Sequence, residues 1–392
     1  VWRFHTVPEP GEFGNNTWTN GGWKDRSGTN PWSGFTLDAK RGILFCGTGS
    51  ASSDFYGADR LGSNLFANCT LALDARTGKR IWHFQEVHHD LWDHDNPCPP
   101  VLVTISKGGK SIDAVAQLTK TGFLYLFERV SGKPMFEVVE KPAPPSDIPG
   151  EVAYPTQPMP VKPKPFSRQN FTLDDVTNIS PESRANVLEQ LKTLRYGQSH
   201  LPPTVEGTAV APGFHGGANW SGGSFDPTTN ILYFNSCNVP YIAKLKRNSG
   251  GGYDFMGYTY FTDQFGYPAI KPPWGLLNAL DLSSGEYLWQ VPNGEYPELK
   301  AKGVPPTGSE TFGGTIVTAG GLVFIGGCKD EKFHCFDKAT GKLLWEFQLP
   351  AGAYSNPSTY MVNGKQFVVV ASGGGGKMRT KSGDTYIAFA VD

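Results

Sequence analysis

The chain has 392 residues, and 39% of them are apolar, so it is long enough to bury a sizeable core. Its formal charge is −1 and its sequence pI is near 6.8, which excludes the basic surface typical of proteins that bind nucleic acids or anionic membranes. Its 48 glycines, 31 prolines and 13% aromatic residues are typical of many short strands joined by tight turns, and no apolar run reaches the roughly 18 residues of a membrane span. The composition therefore predicts an all-β protein.

The chain opens with Val1-Trp2-Arg3-Phe4, which is similar to the end of the repeat unit described below. Because it begins with Val and not Met, we expect further sequence upstream in the full protein, including any targeting signal.

One segment recurs along the chain. An acidic residue ends a strand, a Thr/Ser-Gly turn reverses the chain, and the next strand closes with a large aromatic residue. This segment occupies residues 72–82, 126–136, 279–289 and 335–345, and a related half-motif occupies 37–45 and 225–233. We expect the glycine to supply a turn conformation that other residues resist, and the aromatic residue to wedge between neighbouring sheets.

The repeat favours one architecture over another. A unit of about 40–55 residues that holds four strands is typical of a propeller blade. A β-sandwich would not need identical turn chemistry at a fixed period. The sequence therefore predicts a β-propeller and supplies roughly five blades of it, some partial.

Two stretches interrupt the repeat. Residues 141–165 are rich in proline and predict an extended loop. Ser180 and Pro181 predict the N-cap and first turn of a helix that runs to about Arg195. Its apolar face would carry Val187, Leu188, Leu191 and Leu194. We expect both stretches to form one insertion, at about 139–205, within a single domain that spans 1–392.

The six cysteines exclude one cofactor and leave one question open. None forms a Cys-x-x-Cys pair, and Cys-x-x-Cys-His is absent, so this chain attaches no covalent haem. Cys328 and Cys335 flank a predicted hairpin, and a disulfide between them in an oxidising compartment is one alternative. Six buried thiols are the other.

The densest polar cluster is Val87-His-His-Asp-Leu-Trp-Asp-His-Asp95, just past a predicted strand end. Its histidines and carboxylates suit a transition metal, although their spacing fits no standard zinc pattern. One carboxylate could instead act as a general base at the mouth of the blade ring. A third alternative is a polar loop whose side chains cap turns and each other.

The first seven residues of this cluster resemble the segment around the catalytic aspartate of quinoprotein dehydrogenases, which use pyrroloquinoline quinone (PQQ). The likeness is greatest to the membrane-bound glucose dehydrogenase branch. It continues in order through Thr119–Gly122, Tyr154–Pro158, Pro212–Trp220, Lys271–Gly275, 314–321 and 364–370. The resemblance implies an eight-bladed β-propeller of the quinoprotein dehydrogenase type, with roughly five blades in this chain.

The resemblance implies roles for individual residues. Asp93 would take the hydroxyl proton of the substrate, and Lys120 would hydrogen-bond the quinone oxygens of PQQ. Trp32 would stack on the cofactor. Further cofactor contacts would come from Asn235, Trp220 and Trp274. Taken alone, Trp32 would be a packing tryptophan, Lys120 a surface lysine and Asn235 a turn cap.

The resemblance also implies a bound Ca²⁺ that polarises the quinone carbonyl. Asp93 and Ser50 are its candidate ligands on this chain. The segment Gly47-Thr48-Gly49-Ser50 departs from many alcohol-oxidising relatives, which have Asn at the last position. The vicinal cysteines of many relatives are absent from this sequence and would lie upstream.

The implied function is PQQ-dependent oxidation of an alcohol or sugar, glucose- or polyol-like, by proton abstraction and hydride transfer. Electrons would pass to ubiquinone or to a separate cytochrome. The implied location is the periplasm, with an inner-membrane anchor in the upstream region. The alternative is a non-catalytic β-propeller scaffold, which has no need of Asp93, Lys120 and Trp32 together.

Overall fold

Antiparallel strands dominate the structure, a computed structural model in which residues 1–391 are described. This confirms the all-β class. The chain folds into two compact units. The first comprises Val1–Leu102, Asp113–Gly217 and Val239–Lys271, and the second comprises Val103–Ile112, Ala218–Asn238 and the residues from Pro272 onward. A single domain over 1–392 stays a prediction.

The first unit begins with a four-stranded antiparallel sheet in the order β1-β2-β3-β4. Its strands are β1 (Thr36–Asp38), β2 (Ile43–Gly47), β3 (Cys69–Asp74) and β4 (Arg80–Gln85). The next strands in the chain are β5 (Val101–Lys107), β6 (Lys110–Leu118) and β7 (Leu124–Glu128). Strands β6 and β7 pair from Ala114↔Glu128 to Leu118↔Leu124. A core cluster that includes Phe45, Trp82 and Phe127 joins these strands, because their alternate side chains face inward.

Shorter elements follow in the first unit. They are β8 (Val138–Pro142), β9 (Thr156–Pro160), α1 (Pro181–Leu191) and β10 (Thr208–Val210). The second unit next contributes β11 (Gly223–Asp226) and β12 (Ile231–Cys237). The chain then returns to the first unit through β13 (Tyr241–Ala243), β14 (Leu245–Arg247), β15 (Tyr253–Phe255) and β16 (Thr259–Tyr260). Two short 3₁₀-helices, Asn15–Thr17 and Thr19–Gly21, precede β1.

The rest of the second unit repeats the same sheet pattern. Its elements are β17 (Gly275–Asp281), β18 (Glu286–Pro292), α2 (Pro297–Ala301), β19 (Thr315–Val317), β20 (Leu322–Ile325), β21 (Lys332–Asp337), β22 (Leu343–Gln348), β23 (Ser358–Val362), β24 (Lys365–Gly374), a 3₁₀-helix at Gly376–Met378 and β25 (Ser382–Ala390). They form the sheets β11-β12-β17-β18, β19-β20-β21-β22 and β23-β24-β25. Sheets of four antiparallel strands in chain order are the blade unit that the repeat predicted.

The repeated turn works as its sequence predicts. Asp74 accepts hydrogen bonds at Oδ1 from the backbone N–H of Arg76 at 3.0 Å and of Thr77 at 2.8 Å. Asp337 accepts from Thr340 N–H at the same distance, 2.8 Å. These side chains close each turn and leave its glycine in a left-handed conformation.

The closing tryptophan of one repeat packs on the turn glycine of the next. Trp82 donates its indole N–H to the carbonyl of Arg129 at 3.1 Å. A Cβ added to Gly132 would lie 2.4 Å from that indole, so the ring fills the space that a side chain would occupy. Trp289 and Gly341 repeat the arrangement in the second unit, with a gap of 2.8 Å. The predicted wedge is confirmed within each unit.

The interrupting stretch differs from its prediction in two respects. Ser180 caps α1 by accepting a hydrogen bond from Ser183 N–H at 3.1 Å, but the helix ends at Leu191 and not near Arg195. The backbone of Arg195 instead donates to Gly207 O at 2.9 Å, which draws this residue beside β10. The Pro-rich segment is not loop throughout, because β8 pairs with β9 from Val138↔Pro160 to Pro142↔Thr156.

The cysteines form no disulfide in this structure. All six are free and buried, so Cys328 and Cys335 form no disulfide. Among residues 1–391, none of the helices has both the length and the apolar character needed to cross a membrane.

Candidate active site

The polar cluster of 87–95 lies in the first unit, on the irregular segment between β4 and β5. Asp93 has a left-handed backbone, with a φ of 56°. The buried carboxylate of Asp90 accepts the N–H of Trp92 at 2.8 Å and the N–H of His94 at 2.7 Å. Because these amides flank Asp93, Asp90 holds the turn that presents it.

Lys120 follows β6 and reaches two carboxylates. Its Nζ lies 3.0 Å from Asp93 Oδ1 and 2.7 Å from Asp95 Oδ2. It also donates to the backbone carbonyl of Asp93 at 2.9 Å. All three residues are buried, with 5–8% of their surface exposed. The two residues for which the resemblance implied catalytic roles are therefore in direct contact.

The two carboxylates that share the Lys120 ammonium differ in pKa. Burial raises the pKa of Asp93 well above its usual range, because the pull of Lys120 in the opposite direction is weaker. Burial also opposes ionisation of Asp95, but Lys120 and the Ser50 N–H outweigh it and lower its pKa. Burial would lower the pKa of Lys120, yet the two carboxylates raise it, so the lysine stays charged. Asp95 acts as the counter-ion, and Asp93 is the more basic carboxylate.

The structure also places Trp32 beside this group. A Cβ added to Gly49 would lie 2.7 Å from Asp95 Oδ1 and 3.4 Å from Cδ1 of Trp32. Trp32 is 43% exposed, so part of its surface is accessible to a ligand. Trp32 therefore lies beside Asp95 across Gly49, and Asp95 in turn contacts Lys120, which also holds Asp93.

Ser50 and Asp93, the predicted metal ligands, are each bonded to other protein groups in this structure. Its hydroxyl donates to Asp90 Oδ2, and its N–H donates to Asp95 Oδ1 at 2.6 Å. The Asp93 carboxylate accepts hydrogen bonds from Lys120 at Oδ1 and from the Tyr258 hydroxyl at Oδ2, the latter at 2.8 Å. Within the described residues, no three His, Cys, Asp or Glu side chains group as metal ligands. A calcium ion held by Asp93 and Ser50 therefore stays a prediction.

The histidines of the cluster do not converge on a transition metal either. His88 Nε2 lies 3.1 Å from Glu140 Oε1, and His89 Nε2 lies 2.7 Å from Glu151 Oε1. Burial lowers the pKa of His94 to about 4, which keeps its ring neutral at pH 7. The three rings thus have different partners and share no common site.

The remaining predicted cofactor contacts lie in the second unit. Asn235 is buried and donates through Nδ2 to the carbonyl of Thr311 at 3.2 Å. Trp274 is fully buried and contacts Tyr296 edge to face, with ring centroids 5.3 Å apart. Trp220 is 36% exposed, and its ring stacks on a phenylalanine at 4.7 Å. The cofactor contacts of Asn235, Trp220 and Trp274 stay predictions.

Three residues of this site were missed by the sequence reasoning. Asp90 stood in the cluster but was given no role. Tyr258, which bonds Asp93, lies 165 positions further along the chain. Burial, with the nearby Asp90 and Asp95 carboxylates, raises the pKa of Asp54 to about 6. No motif marks Tyr258 or Asp54, because only the folded chain brings them to the cluster.

Comparison with known proteins places the chain in a family. Residues 1–368 match the model of the PQQ-type glucose/ethanol/alcohol dehydrogenase β-propeller domain. The chain belongs to this family, as the resemblance of its motifs implied.

The relatives share the family and differ in their named substrates. Quinoprotein glucose dehydrogenase A of Acinetobacter calcoaceticus is 34% identical over 92% of this chain and 49% of its own length. Quinate/shikimate dehydrogenase (quinone) of Acinetobacter baylyi is also 34% identical, over 94% of this chain and 49% of its own length. The chain thus spans about half the length of these curated relatives.

Solved structures agree on the fold. Quinohemoprotein alcohol dehydrogenase from Comamonas testosteroni is 26% identical with a TM-score of 0.62, over 91% of this chain and 47% of that one. A europium-containing methanol dehydrogenase has a TM-score of 0.65 at 22% identity, over 94% of this chain and 55% of that one. The β-propeller class predicted from the repeat is therefore confirmed.

Proposed function

We propose that this chain contributes the proton-abstracting centre of a PQQ-dependent dehydrogenase that oxidises an alcohol or a sugar. The observation that carries the proposal is the contact of Lys120 with both Asp93 and Asp95, beside the exposed indole of Trp32. When bound, PQQ supplies a two-electron acceptor. Trp32 would hold its ring system and Lys120 its oxygens, which suits an exposed indole face and a charged donor.

The chain's own residues would manage the proton. A carboxylate with a raised pKa is a better base, so Asp93 is suited to take the hydroxyl proton of the substrate. It would receive that proton at Oδ2, because Lys120 binds Oδ1. Asp95 keeps Lys120 charged throughout, since it neutralises the ammonium that Asp93 no longer balances once protonated.

The proposed function also includes a substrate class, an electron acceptor and a cellular location. Relatives are named for glucose, quinate and glycerol, so we propose a glucose- or polyol-like substrate. Electrons would pass to ubiquinone or to a separate cytochrome, in the periplasm. The upstream anchor also remains a proposal.

Reconstitution tests this function. The protein is incubated with PQQ, with and without Ca²⁺, and dye reduction is assayed with glucose, quinate, glycerol and ethanol. We expect cofactor absorbance and turnover with at least one donor. If neither is seen, the non-catalytic scaffold is favoured. The comparison without Ca²⁺ tests the metal that the resemblance implied.

The Asp93→Asn variant tests the base. We expect turnover to fall at least a hundredfold, because general base catalysis typically contributes about 10²–10⁴-fold. PQQ binding, followed by absorbance, should stay close to that of the unaltered protein. Asp384→Asn, a change at an exposed strand position, is the matched control. Normal rates in Asp93→Asn would remove Asp93 from the mechanism.

A further inference from the structure

The second carboxylate oxygen of Asp93 is already bonded in the folded chain. Strands β14 and β15 form a hairpin, and the residues that follow carry Tyr258 to the polar cluster. The hydroxyl of Tyr258 donates to Asp93 Oδ2 at 2.8 Å, while Lys120 holds Oδ1 at 3.0 Å. Oδ2 is the oxygen at which the proposed function requires a substrate hydroxyl.

Tyr258 lies on the solvent side of the base. Its surface is 46% exposed, whereas only 8% of Asp93 is exposed. Its ring meets Phe55, Phe214 and Phe255 edge-on, with centroids 5.5–6.0 Å apart. These contacts still leave 46% of the tyrosine exposed, so it is held less firmly than the buried carboxylate beside it.

The residue before Tyr258 allows the ring to move. Gly257 has a φ of 95°, and a Cβ added there would meet no atom within 4 Å. The backbone therefore has both space and conformational freedom at this point. Lys120, by contrast, is buried and anchored by three hydrogen bonds to Asp93 and Asp95. If a ligand displaces one partner of Asp93, the phenol is the easier one to displace.

We propose that Tyr258 is a reversible cap on Asp93, and that a substrate hydroxyl displaces it from Oδ2. The identity of the displacing group rests on the proposed function. A phenol and an alcohol donate the same kind of hydrogen bond to a carboxylate, so the exchange conserves one bond and moves no proton by itself. The cap favours ligands that carry a hydroxyl group. A ligand without a hydroxyl donor would break the hydrogen bond from Tyr258 to Asp93 and could not replace it.

Carboxyl labelling tests the cap without cofactor or substrate. The full chain is treated with a water-soluble carbodiimide and glycinamide, and modification of Asp93 is followed by peptide mass spectrometry. We expect Tyr258→Ala to be labelled at Asp93 about tenfold faster, since a hydrogen bond to a charged group typically contributes at least that factor. Tyr253→Phe on the same hairpin should match the unaltered protein. An unchanged Asp93 rate in Tyr258→Ala would overturn the cap.

Kinetics test the displacement. In the reconstituted protein, Tyr258→Phe should lower KM by up to about tenfold and leave kcat within about twofold, because the substrate no longer competes with the phenol. A raised KM would mean that the hydroxyl contacts substrate, and an unchanged KM that nothing is displaced; either result refutes the proposal. If the unaltered protein shows no turnover, the proposed function fails, and the labelling experiment still decides whether Tyr258 caps Asp93.

Discussion

The conformation of Asp93 depends on Asp90, and replacing Asp90 by Asn measures that dependence. The carboxylate is buried and accepts the backbone N–H of Trp92 at Oδ1, at 2.8 Å. At Oδ2 it accepts the N–H of His94 at 2.7 Å, the amide of Asn68 at 2.9 Å and the hydroxyl of Ser50. An Asn at this position keeps one acceptor oxygen and turns an NH₂ group toward the other donors.

The number of donors that Asp90 accepts sets the stability lost in Asp90→Asn. The best orientation keeps the oxygen on the side with three donors, and leaves the N–H of Trp92 buried without an acceptor. An orphaned buried donor costs about 1–3 kcal/mol, and the surviving bonds lose the strength that the negative charge gave them. We therefore expect the turn to lose about 2–4 kcal/mol of local stability.

Hydrogen exchange is the direct assay. At 1.4 kcal/mol per factor of ten, this loss accelerates exchange of the Trp92 and His94 amides by roughly 30-fold or more, if these amides exchange by local opening. Asp74→Asn is the control, because Asp74 closes a similar turn at an exposed position. Amides in Asp90→Asn that stay as protected as before would show that the carboxylate does not hold the turn, and the reasoning would be wrong.

Two further changes test the blade and its interior. Gly132→Ala should lower Tm by several degrees more than Gly108→Ala. Both glycines have positive φ, but only at Gly132 would the new Cβ meet the Trp82 ring, at 2.4 Å. Equal losses of Tm would show that Trp82 is not tightly packed on Gly132. Burial raises the pKa of Glu86 from 4.5 to about 8, against the pull of its hydrogen bonds to Thr70. The folded state therefore binds the proton more tightly, and stability from this group is full below pH 4.5 and is lost as pH rises toward about 8. Glu86→Gln should flatten the decline of Tm between pH 5 and 9, and parallel curves for the two proteins would contradict this pKa.

The repeat could be predicted because its physics is local. An Asp that closes a turn, a glycine with positive φ and a strand that ends in tryptophan lie within a dozen residues of each other. The contact of Trp82 with Gly132 extends this pattern to the next unit of the repeat. Each of these features uses residue types that few others can replace, so their recurrence identified the blades.

Long-range pairing could not be predicted in the same way. Helix α1 ends at Leu191, and Arg195 pairs instead with Gly207, a long-range contact that no local sequence signal predicts. Strand β8 pairs with β9 although both contain proline, because edge positions of a two-stranded sheet tolerate a missing donor. Tyr258 reaches Asp93 only through the return of the chain to the first unit.

The division of roles between Asp93 and Asp95 gives a physical reason for the base that the resemblance implied and that residue type alone could not supply. The two residues are of the same type, stand two positions apart and are equally buried, so residue type and burial do not separate them. Lys120 lies 2.7 Å from Asp95 and 3.0 Å from Asp93, and the second donor is the Ser50 N–H at 2.6 Å for Asp95 but the Tyr258 hydroxyl at 2.8 Å for Asp93. One cation cannot compensate the burial of two carboxylates, so Asp95, with the closer ammonium and the Ser50 N–H, ionises, and Asp93 keeps a raised pKa. If this account is right, removing the Asp95 charge would leave Lys120 paired with Asp93 alone and would lower the pKa of Asp93. Asp93 would still be present, but it would be a weaker base.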